Sequence, residues 1–173
     1  MVVFLIGYMG CGKSTIGKKL SSLLGWKFVD MDHAIEQEQG MSIAQIFEQK
    51  GELAFREMER EWLKKQAVGE NEIVATGGGV PCFNGNMELI NSLGLSVYLK
   101  LEATKFTTRI SLRGREKRPL LRGMNDEQLT NFVTEKLKER EPYYEKAKIL
   151  IDINGRSDEY ITSHIAEVIK FEI

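Results

Sequence analysis

Residues 7 to 14 carry a glycine-rich pattern that is typical of phosphate binding. The segment reads Gly-Tyr-Met-Gly-Cys-Gly-Lys-Ser, which fits G-x-x-x-x-G-K-S/T. It follows an apolar run at residues 2–6 and leads into a helical pattern that begins near Thr15. A glycine loop between a buried strand and a helix presents backbone N–H groups and the positive end of the helix dipole to a phosphate chain. The pattern therefore predicts a nucleoside triphosphate site.

The residues of this loop have separate expected roles. Those expected to contact the nucleotide are Gly10, Cys11, Gly12, Lys13, Ser14 and Thr15. Lys13 is predicted to be a long exposed cation that reaches the β- and γ-phosphates, and the Ser14 hydroxyl is placed to ligate Mg²⁺. Cys11 stands beside a helix N-terminus and has two interpretations: a reactive thiolate or, as we favour, a small residue that fills the loop.

Acidic residues and glycines follow the next two predicted strands. Residues 26–30 read as a strand that ends in Asp30, with Asp32 two residues later, and the strand at residues 73–76 ends in Gly77, Gly78 and Gly79. Ligands bind beyond the carboxyl ends of parallel strands. Next to a magnesium nucleotide, one carboxylate can orient metal-bound water and the other can hold or deprotonate an acceptor hydroxyl. A helix N-cap is an equally open interpretation of Asp32.

A cluster of cations lies between residues 105 and 122, where seven Lys and Arg side chains stand against the single acid Glu116. The cations are Lys105, Arg109, Arg113, Arg115, Lys117, Arg118 and Arg122. Two glycines and Pro119 in this stretch favour a loop over a helix. Arginines that close over a transferred phosphoryl group stabilise its charge. We therefore predict a mobile lid at about residues 113–124, with a plain surface loop as the alternative.

The elements that position these residues alternate between strands and helices. Strand patterns occur at residues 2–6, 26–30, 73–76, 95–101 and 149–153, and helical patterns at about 16–24, 33–39, 42–50, 52–65, 126–140 and 157–170. Gly25 predicts the end of the first helix, and Ser42 predicts an N-cap. Five apolar strands separated by helices indicate an α/β fold with a parallel sheet covered on both faces. Because no repeat or linker interrupts it, the chain 1–173 is predicted to be one domain.

Composition limits the classes of partner. Lys and Arg number 24 against 25 Asp and Glu, so the net charge of −1 argues against a general binder of nucleic acid or of anionic membranes. The longest apolar run is too short to span a membrane, and no basic segment precedes residues 1–4, so no signal peptide is expected. Two cysteines suit a reducing cytoplasm better than a disulfide framework. We expect a cytoplasmic monomer.

Taken in order, the motifs resemble those of the shikimate kinase family. Beyond residues 7–14, the matching segments are Phe28-Val29-Asp30-Met31-Asp32, Phe55-Arg56-Glu57-Met58-Glu59, Gly77-Gly78-Gly79, Arg118-Pro119-Leu120-Leu121 and Arg140-Glu141-Pro142-Tyr143-Tyr144. The resemblance implies a three-layer P-loop kinase fold, like that of nucleoside monophosphate kinases, with a five-stranded parallel sheet and a mobile lid. It also implies Mg²⁺-dependent transfer of the γ-phosphate of ATP to the 3-hydroxyl of shikimate, a step toward chorismate and the aromatic amino acids.

The resemblance assigns the substrate site to residues on several elements. Arg56 and Arg140 match the family's carboxylate clamp, for which a guanidinium is suited by its two-pronged geometry. Glu59 lies one helical turn from Arg56 and is placed to hold that arginine. Asp32 matches the residue that accepts hydrogen bonds from the ring hydroxyls and acts as a base. Gly77, Gly78 and Gly79 let the backbone approach the ring closely.

The resemblance also assigns nucleotide contacts. Arg118 matches the lid arginine that reaches the phosphates of ATP and, with Lys13 and Asp32, completes the predicted catalytic set. Arg109 matches an adenine-stacking arginine, although Arg113 is an alternative because the lid is slightly longer than usual. Arg156 lies where another nucleotide contact is expected. Asp158 stands where some relatives have a proline against adenine. Asp30 is expected to hold Mg²⁺ through water, beside Ser14.

Other functions share some of these motifs. A gluconate kinase or a nucleoside monophosphate kinase has the same loop and a basic lid. Two arginines flanking an Asp-x-Asp pair favour a small carboxylated polyol over a nucleotide, and a panel of substrates would separate these kinases. Residues 152–155 spell the D-x-x-G of GTP-dependent switches, but on the last predicted strand, and no N-K-x-D guanine motif is present. A non-catalytic ATP-binding regulator would not need the substrate residues.

Overall fold

A parallel sheet forms the centre of the molecule in the computed structural model, which describes residues 1–66, 71–110 and 121–172. The strands of the described residues are β1 (Val2–Ile6), β2 (Lys27–Asp30), β3 (Glu72–Ala75), β4 (Leu95–Lys100) and β5 (Ile149–Asp152). Their order across the sheet is β2-β3-β1-β4-β5, and all neighbouring pairs are parallel. The predicted α/β fold with five parallel strands is confirmed.

Helices surround the sheet and explain the burial of its inner strands. The helices within the described residues are α1 (Lys13–Leu24), α2 (Met31–Gln39), α3 (Ile43–Lys64), α4 (Asn86–Leu93), α5 (Ala103–Arg109), α6 (Asp126–Tyr144) and α7 (Asp158–Glu172), with a 3-10 turn at Val80–Cys82. Every residue of β1 and β3 is buried. Strands of this kind do not alternate between apolar and polar residues, because neither face meets water.

Local signals account for several helix ends. Gly25 adopts φ 69° at the C-terminus of α1, as predicted from its type and position. Ser42 caps α3 in a reciprocal arrangement, in which its hydroxyl accepts from the Gln45 amide and the Gln45 side chain accepts from the Ser42 amide. Within α3, Gly51 has φ 81° and ψ 170°, so the helix is kinked where the sequence predicts a break between two helices.

The start of α2 and the end of α6 differ from the sequence prediction. Helix α2 begins at Met31, and its N-cap is Asp30, whose side chain accepts from the His33 amide at 3.4 Å. The interpretation of Asp32 as the N-cap is therefore wrong: Asp30 has the extended backbone of a cap, and Asp32 already lies in the first helical turn. Helix α6 continues past Arg140 to Tyr144 with Pro142 inside it.

The predicted lid lies largely outside the described residues, including Arg113, Arg115, Lys117 and Arg118. Its last four residues, 121–124, are described and precede α6; Leu121 is fully buried among them. None of the helices in the described part of the chain combines the length and apolar character that a bilayer span requires. That residues 1–173 form one domain stays a prediction.

Gly94 marks the tightest approach between a loop and the sheet. It lies between α4 and β4, and a Cβ at this position would collide with the Val2 carbonyl of β1. Because the obstacle is backbone, Gly94→Ala is expected to lower the free energy of unfolding by about 1–3 kcal/mol, measured by urea denaturation.

Gly17→Ala is the matched control. Its added methyl would meet the ring of Phe28, a side chain that can turn, and alanine gains about 1 kcal/mol of helix propensity within α1. We expect Gly17→Ala to lower the free energy of unfolding less than Gly94→Ala does. A decrease as large or larger would contradict this.

Candidate active site

The phosphate loop leaves the carboxyl end of β1 and enters α1 through backbone conformations that favour glycine. Gly10 has φ 79° and Gly12, at the N-terminus of α1, has φ 106°. Both values lie where L side chains rarely go, so glycine at these positions follows from the path of the loop. Cys11 is fully buried inside the loop, which favours its interpretation as a small filling residue.

Lys13 is buried against the loop and is not the exposed cation that its length predicts. The residue is only 8% exposed, and Nζ donates to the carbonyls of Gly7 at 2.6 Å and Tyr8 at 3.0 Å. The prediction is wrong because the first turn of α1 directs this side chain back under the loop, where carbonyl oxygens accept from the ammonium. The positive charge therefore lies within the loop that would hold a phosphate chain.

Ser14 and Asp30 are brought together as the sequence predicts. The Ser14 hydroxyl donates to Asp30 Oδ2 at 2.7 Å, while Asp30 Oδ1 caps α2. The cap orients the carboxylate, and the first turn of α1 supplies the hydroxyl. Two oxygen ligands of the kind that Mg²⁺ prefers thus lie side by side next to the phosphate loop.

Asp32 presents a buried acceptor atom. Within the described residues, its Oδ1 is buried and has no hydrogen-bond partner. Burial raises the pKa of Asp32, and the neighbouring Asp30 carboxylate raises it further. A Cβ on Gly77 would lie 2.6 Å from this oxygen, so glycine makes room for it. A buried acceptor without a partner is costly in a finished core and is expected where a ligand supplies the donor.

Asp32 borders a cavity of ≈460 Å³ that contains every described residue predicted to bind shikimate. The cavity is lined by Met9, Asp32, Ile43, Phe47, Glu52, Phe55, Arg56, Glu59, Gly77, Gly78, Gly79 and Arg140. It combines two guanidinium groups, carboxylates and an apolar wall. This is the set of groups that a small molecule with one carboxylate and several hydroxyls requires.

Arg56 is held on two sides by acids of its own helix. Nη1 lies 2.8 and 3.0 Å from the two oxygens of Glu59, and Nε and Nη2 donate to Glu52. The Arg56 guanidinium also stacks 4.2 Å from the centroid of the Phe83 ring. The predicted Arg56–Glu59 pair is present. Burial raises the pKa of Glu59 to about 7, against the opposing charge of Arg56.

Tyr144 supports the glycine segment, a role that motif reasoning missed. Its hydroxyl donates to the Gly78 carbonyl at 2.6 Å, and the side chain is fully buried. A Cβ on Gly78 would lie 3.2 Å from the Met9 amide and 3.6 Å from Arg140 Nη1. The spacing of four residues between Arg140 and Tyr144 places both on one face of α6, which is the signal that could have identified Tyr144.

A second cavity of ≈460 Å³ lies against the phosphate loop and contains the described residues predicted to bind the nucleoside. Its lining includes Gly10, Gly12, Thr15, Lys105, Arg109, Arg156 and Asp158. Arg109 and Arg156 are thus brought to one place, whereas the alternative Arg113 and the lid arginine Arg118 are outside the described residues. Both cavities border the phosphate loop, the first at Met9 and the second at Gly10 and Gly12.

The raised pKa of Glu59 predicts a pH-dependent stability. The folded protein holds this proton more tightly than an unfolded chain, in which the pKa is near 4.5. The contribution of Glu59 to the free energy of unfolding therefore falls as the pH rises from 4.5 to about 7, and is constant above that. Relative to Glu59→Gln, the free energy of unfolding of the unmodified protein should fall by roughly 3 kcal/mol between pH 4.5 and about 7, measured by urea unfolding. A difference that stays constant or grows with pH would contradict this assignment.

Comparison with known proteins gives one consistent family. Residues 9–170 match the family model described as shikimate kinase. A shikimate kinase of Parabacteroides distasonis is 45% identical over 150 residues, which cover 87% of this chain and 86% of that protein. The crystal structure of the Bacteroides thetaiotaomicron shikimate kinase superposes with a TM-score of 0.89 at 33% identity, covering 98% of each chain.

A further relative was solved with a ligand. The Acinetobacter baumannii shikimate kinase in complex with shikimate has a TM-score of 0.83 at 34% identity, covering 99% of this chain and 93% of that one. The family model, the sequence relatives and the structures agree over nearly the whole chain, and the chain belongs to the shikimate kinase family.

Proposed function

We propose an assignment of roles to these residues in the family's reaction, in which ATP phosphorylates the 3-hydroxyl of shikimate to give shikimate 3-phosphate and ADP. The observation that carries it is the buried oxygen of Asp32, which has no hydrogen-bond partner in the described part of the chain and lies in a cavity that also holds Arg56 and Arg140. A second cavity of matching size lies on the same phosphate loop. One loop thus serves an acceptor site and a nucleotide site, as phosphoryl transfer requires.

ATP is assigned to the phosphate loop and the second cavity. The residues proposed to bind it are Gly10, Cys11, Gly12, Lys13, Ser14, Thr15, Arg109, Arg156 and Arg118. Backbone N–H groups of the loop and the start of α1 face the phosphates. Lys13 Nζ, already within the loop, neutralises charge on the transferred group. Arg118 remains a prediction from the sequence.

Mg²⁺ fits the oxygen pair beside the loop. Among the described residues, no three His, Cys, Asp or Glu side chains lie together as a metal site. Mg²⁺ in kinases is held by one or two protein oxygens, waters and the phosphates of the substrate, so the adjacent Ser14 hydroxyl and Asp30 carboxylate suffice. Ser14 would bind the ion directly and Asp30 through water. When bound, the ion neutralises oxygen charge on the β- and γ-phosphates.

Shikimate is assigned to the first cavity. Its carboxylate would bind Arg56 and Arg140, and its ring would approach the backbone of Gly77, Gly78 and Gly79. Asp32 accepts from the reacting hydroxyl. The complex of the Acinetobacter baumannii relative with shikimate supports the choice of shikimate as the ligand.

The chemistry then follows from position and charge. The 3-hydroxyl oxygen forms a bond to the γ-phosphorus as the bond from that phosphorus to the ADP oxygen breaks, and the hydroxyl proton passes to Asp32. The raised pKa of Asp32 makes its carboxylate a better proton acceptor than an exposed aspartate. Because the transition state is loose, alignment and neutralisation of charge contribute more than the strength of the base.

The remaining proposals concern the setting of the reaction. We propose a cytoplasmic monomer that uses neither nucleic acid nor membrane as a partner. The nearly balanced charge supports this, since a general polyanion binder needs an excess of cations.

A panel of acceptors tests the function directly. ADP release should be stimulated far above the water background by shikimate, and not by gluconate or AMP, in a coupled assay with Mg·ATP. The reason is that shikimate holds a carboxylate for the two arginines and a hydroxyl for Asp32 at a fixed separation on one ring, whereas gluconate carries these groups on a flexible open chain and AMP has no carboxylate. Turnover with gluconate or AMP that equals or exceeds that with shikimate would reject the assignment.

Two variants separate the clamp from the base. Arg140→Ala should raise KM for shikimate by about 30-fold or more, because the substrate carboxylate loses a charge-assisted partner far from the reacting hydroxyl. Asp32→Asn keeps the size of the side chain but removes the acceptor charge, and should lower kcat by about 100-fold or more. Steady-state kinetics with single-turnover measurements check both.

Binding of Mg·ADP is the control for both variants and should remain within about twofold of the unmodified protein. Weakened nucleotide binding with normal shikimate KM in Arg140→Ala would place that arginine in the other cavity. Full turnover in Asp32→Asn would remove Asp32 from the catalytic set.

A further inference from the structure

Arg109 and Asp158 form an ion pair at the wall of the second cavity, the one assigned to ATP and called the nucleotide cavity below. Arg109 Nη2 lies 2.8 Å from Asp158 Oδ1, which joins the last residue of α5 to the first residue of α7. The two side chains are only 17% and 31% exposed. Ion pairs on an open surface contribute little because water screens them, and partial burial strengthens this one. The carboxylate also lies in the first turn of α7, where the helix dipole favours a negative charge.

The other donors of Arg109 are engaged as well. Nε donates to the Cys11 carbonyl of the phosphate loop at 2.8 Å, and Nη1 to the Arg156 carbonyl at 3.5 Å. N–H groups of a guanidinium point outward in its plane, so these bonds hold Arg109 by its edge and cover neither face. An arginine fixed in this way offers a flat cationic surface to an aromatic base.

Asp158 also connects this arginine to the helix that follows the phosphate loop. Its Oδ2 lies 3.7 Å from Nζ of Lys19 on α1, and Lys19 makes a shorter contact of 2.6 Å with Glu159. Asp158 therefore contacts α1 and α5 from its place on α7. All three helices border the nucleotide cavity, through Thr15, Arg109 and Asp158 itself.

We propose that Asp158 is a positioning residue that holds Arg109 flat against the nucleotide cavity and thereby sets the affinity for the adenine nucleotide. The proposal rests on the proposed function for the identity of the nucleotide. Asp158 takes no part in the chemistry; it fixes one end of the guanidinium, and the Cys11 carbonyl fixes another. An aspartate at this position thus supports base binding through the arginine.

Asp158→Asn tests the proposal, since it keeps the size of the side chain and removes the charge. Calorimetric titration with Mg·ADP should show about three- to tenfold weaker binding, and KM for ATP should rise by the same factor. We expect kcat and KM for shikimate to stay within about twofold. Glu159→Gln is the matched control: it removes a charge from the same helical turn and breaks the closer contact with Lys19, but leaves Arg109 paired, so Mg·ADP binding should not change.

The same substitution in an Arg109→Ala background identifies the route of the effect. If Asp158 acts through Arg109, Asp158→Asn should weaken Mg·ADP binding no further once the arginine is gone. Unchanged or tighter Mg·ADP binding by Asp158→Asn would overturn the proposal. The ion pair would then have no effect on nucleotide binding, or would hold Arg109 away from the base. An equal loss of Mg·ADP affinity in Glu159→Gln would also overturn the proposal, because the effect would then come from the negative charge at the helix end in general and not from the pair with Arg109.

The experiment distinguishes this inference from the proposed function. Calorimetry with Mg·ADP does not require shikimate, so it reports on Asp158 even if the acceptor panel fails. Conversely, shikimate-dependent ADP release by the unmodified protein supports the function whether or not Asp158→Asn changes nucleotide binding.

Discussion

The path of the chain at the carboxyl end of β1 is the constraint on which both cavities depend. Strand β1 is central in the order β2-β3-β1-β4-β5, so the chain builds one half of the sheet, returns, and then builds the other. Such a reversal leaves a crevice at the strand ends, where the flanking connections diverge. The phosphate loop emerges there because it directly follows the carboxyl end of β1, which is buried along its whole length. The cavity assigned to shikimate and the cavity assigned to ATP then lie along the same loop.

Two carboxylates near this crevice, those of Asp32 and Glu59, are buried although the fold compensates them only in part. Asp32 keeps a buried oxygen without a partner in the described residues, and Glu59 is buried with its pKa raised to about 7. Desolvated carboxylates of this kind are not retained for stability, because a well-packed apolar core would be at least as stable. They are tolerable where a neighbouring cation offsets part of the penalty, as Arg56 does for Glu59. In the proposed assignment, the substrate would supply the donor for Asp32.

Sequence reasoning succeeded where the physical signal is local. Five apolar strands, the Ser42 cap and the break at Gly51 each depend on residues within one turn or strand. It was wrong for Lys13, whose burial depends on carbonyls of a folded loop, and for the cap of α2, where a shift of two residues decides between Asp30 and Asp32. It also missed contacts between distant segments. Arg109 and Asp158 are 49 residues apart, and no periodicity links them.

Both cavities use an acidic side chain to hold an arginine by its edge, but in different ways. In the cavity proposed for shikimate, Glu52 and Glu59 accept from Nε, Nη1 and Nη2 of Arg56, and Phe83 lies against a face, so the guanidinium is fixed. Because Nη2 carries two N–H groups, Arg56 still has a donor for a substrate carboxylate. In the nucleotide cavity the edge of Arg109 is fixed by Asp158 and by backbone carbonyls. A carboxylate ligand needs in-plane donors, whereas a base needs an open face. Arg109 is therefore suited to stacking. Arg140 makes no ion pair within the described residues, whereas Arg56 is paired with two acids. Of the two arginines in the cavity proposed for shikimate, Arg140 therefore has the in-plane donors that are more available to a substrate carboxylate.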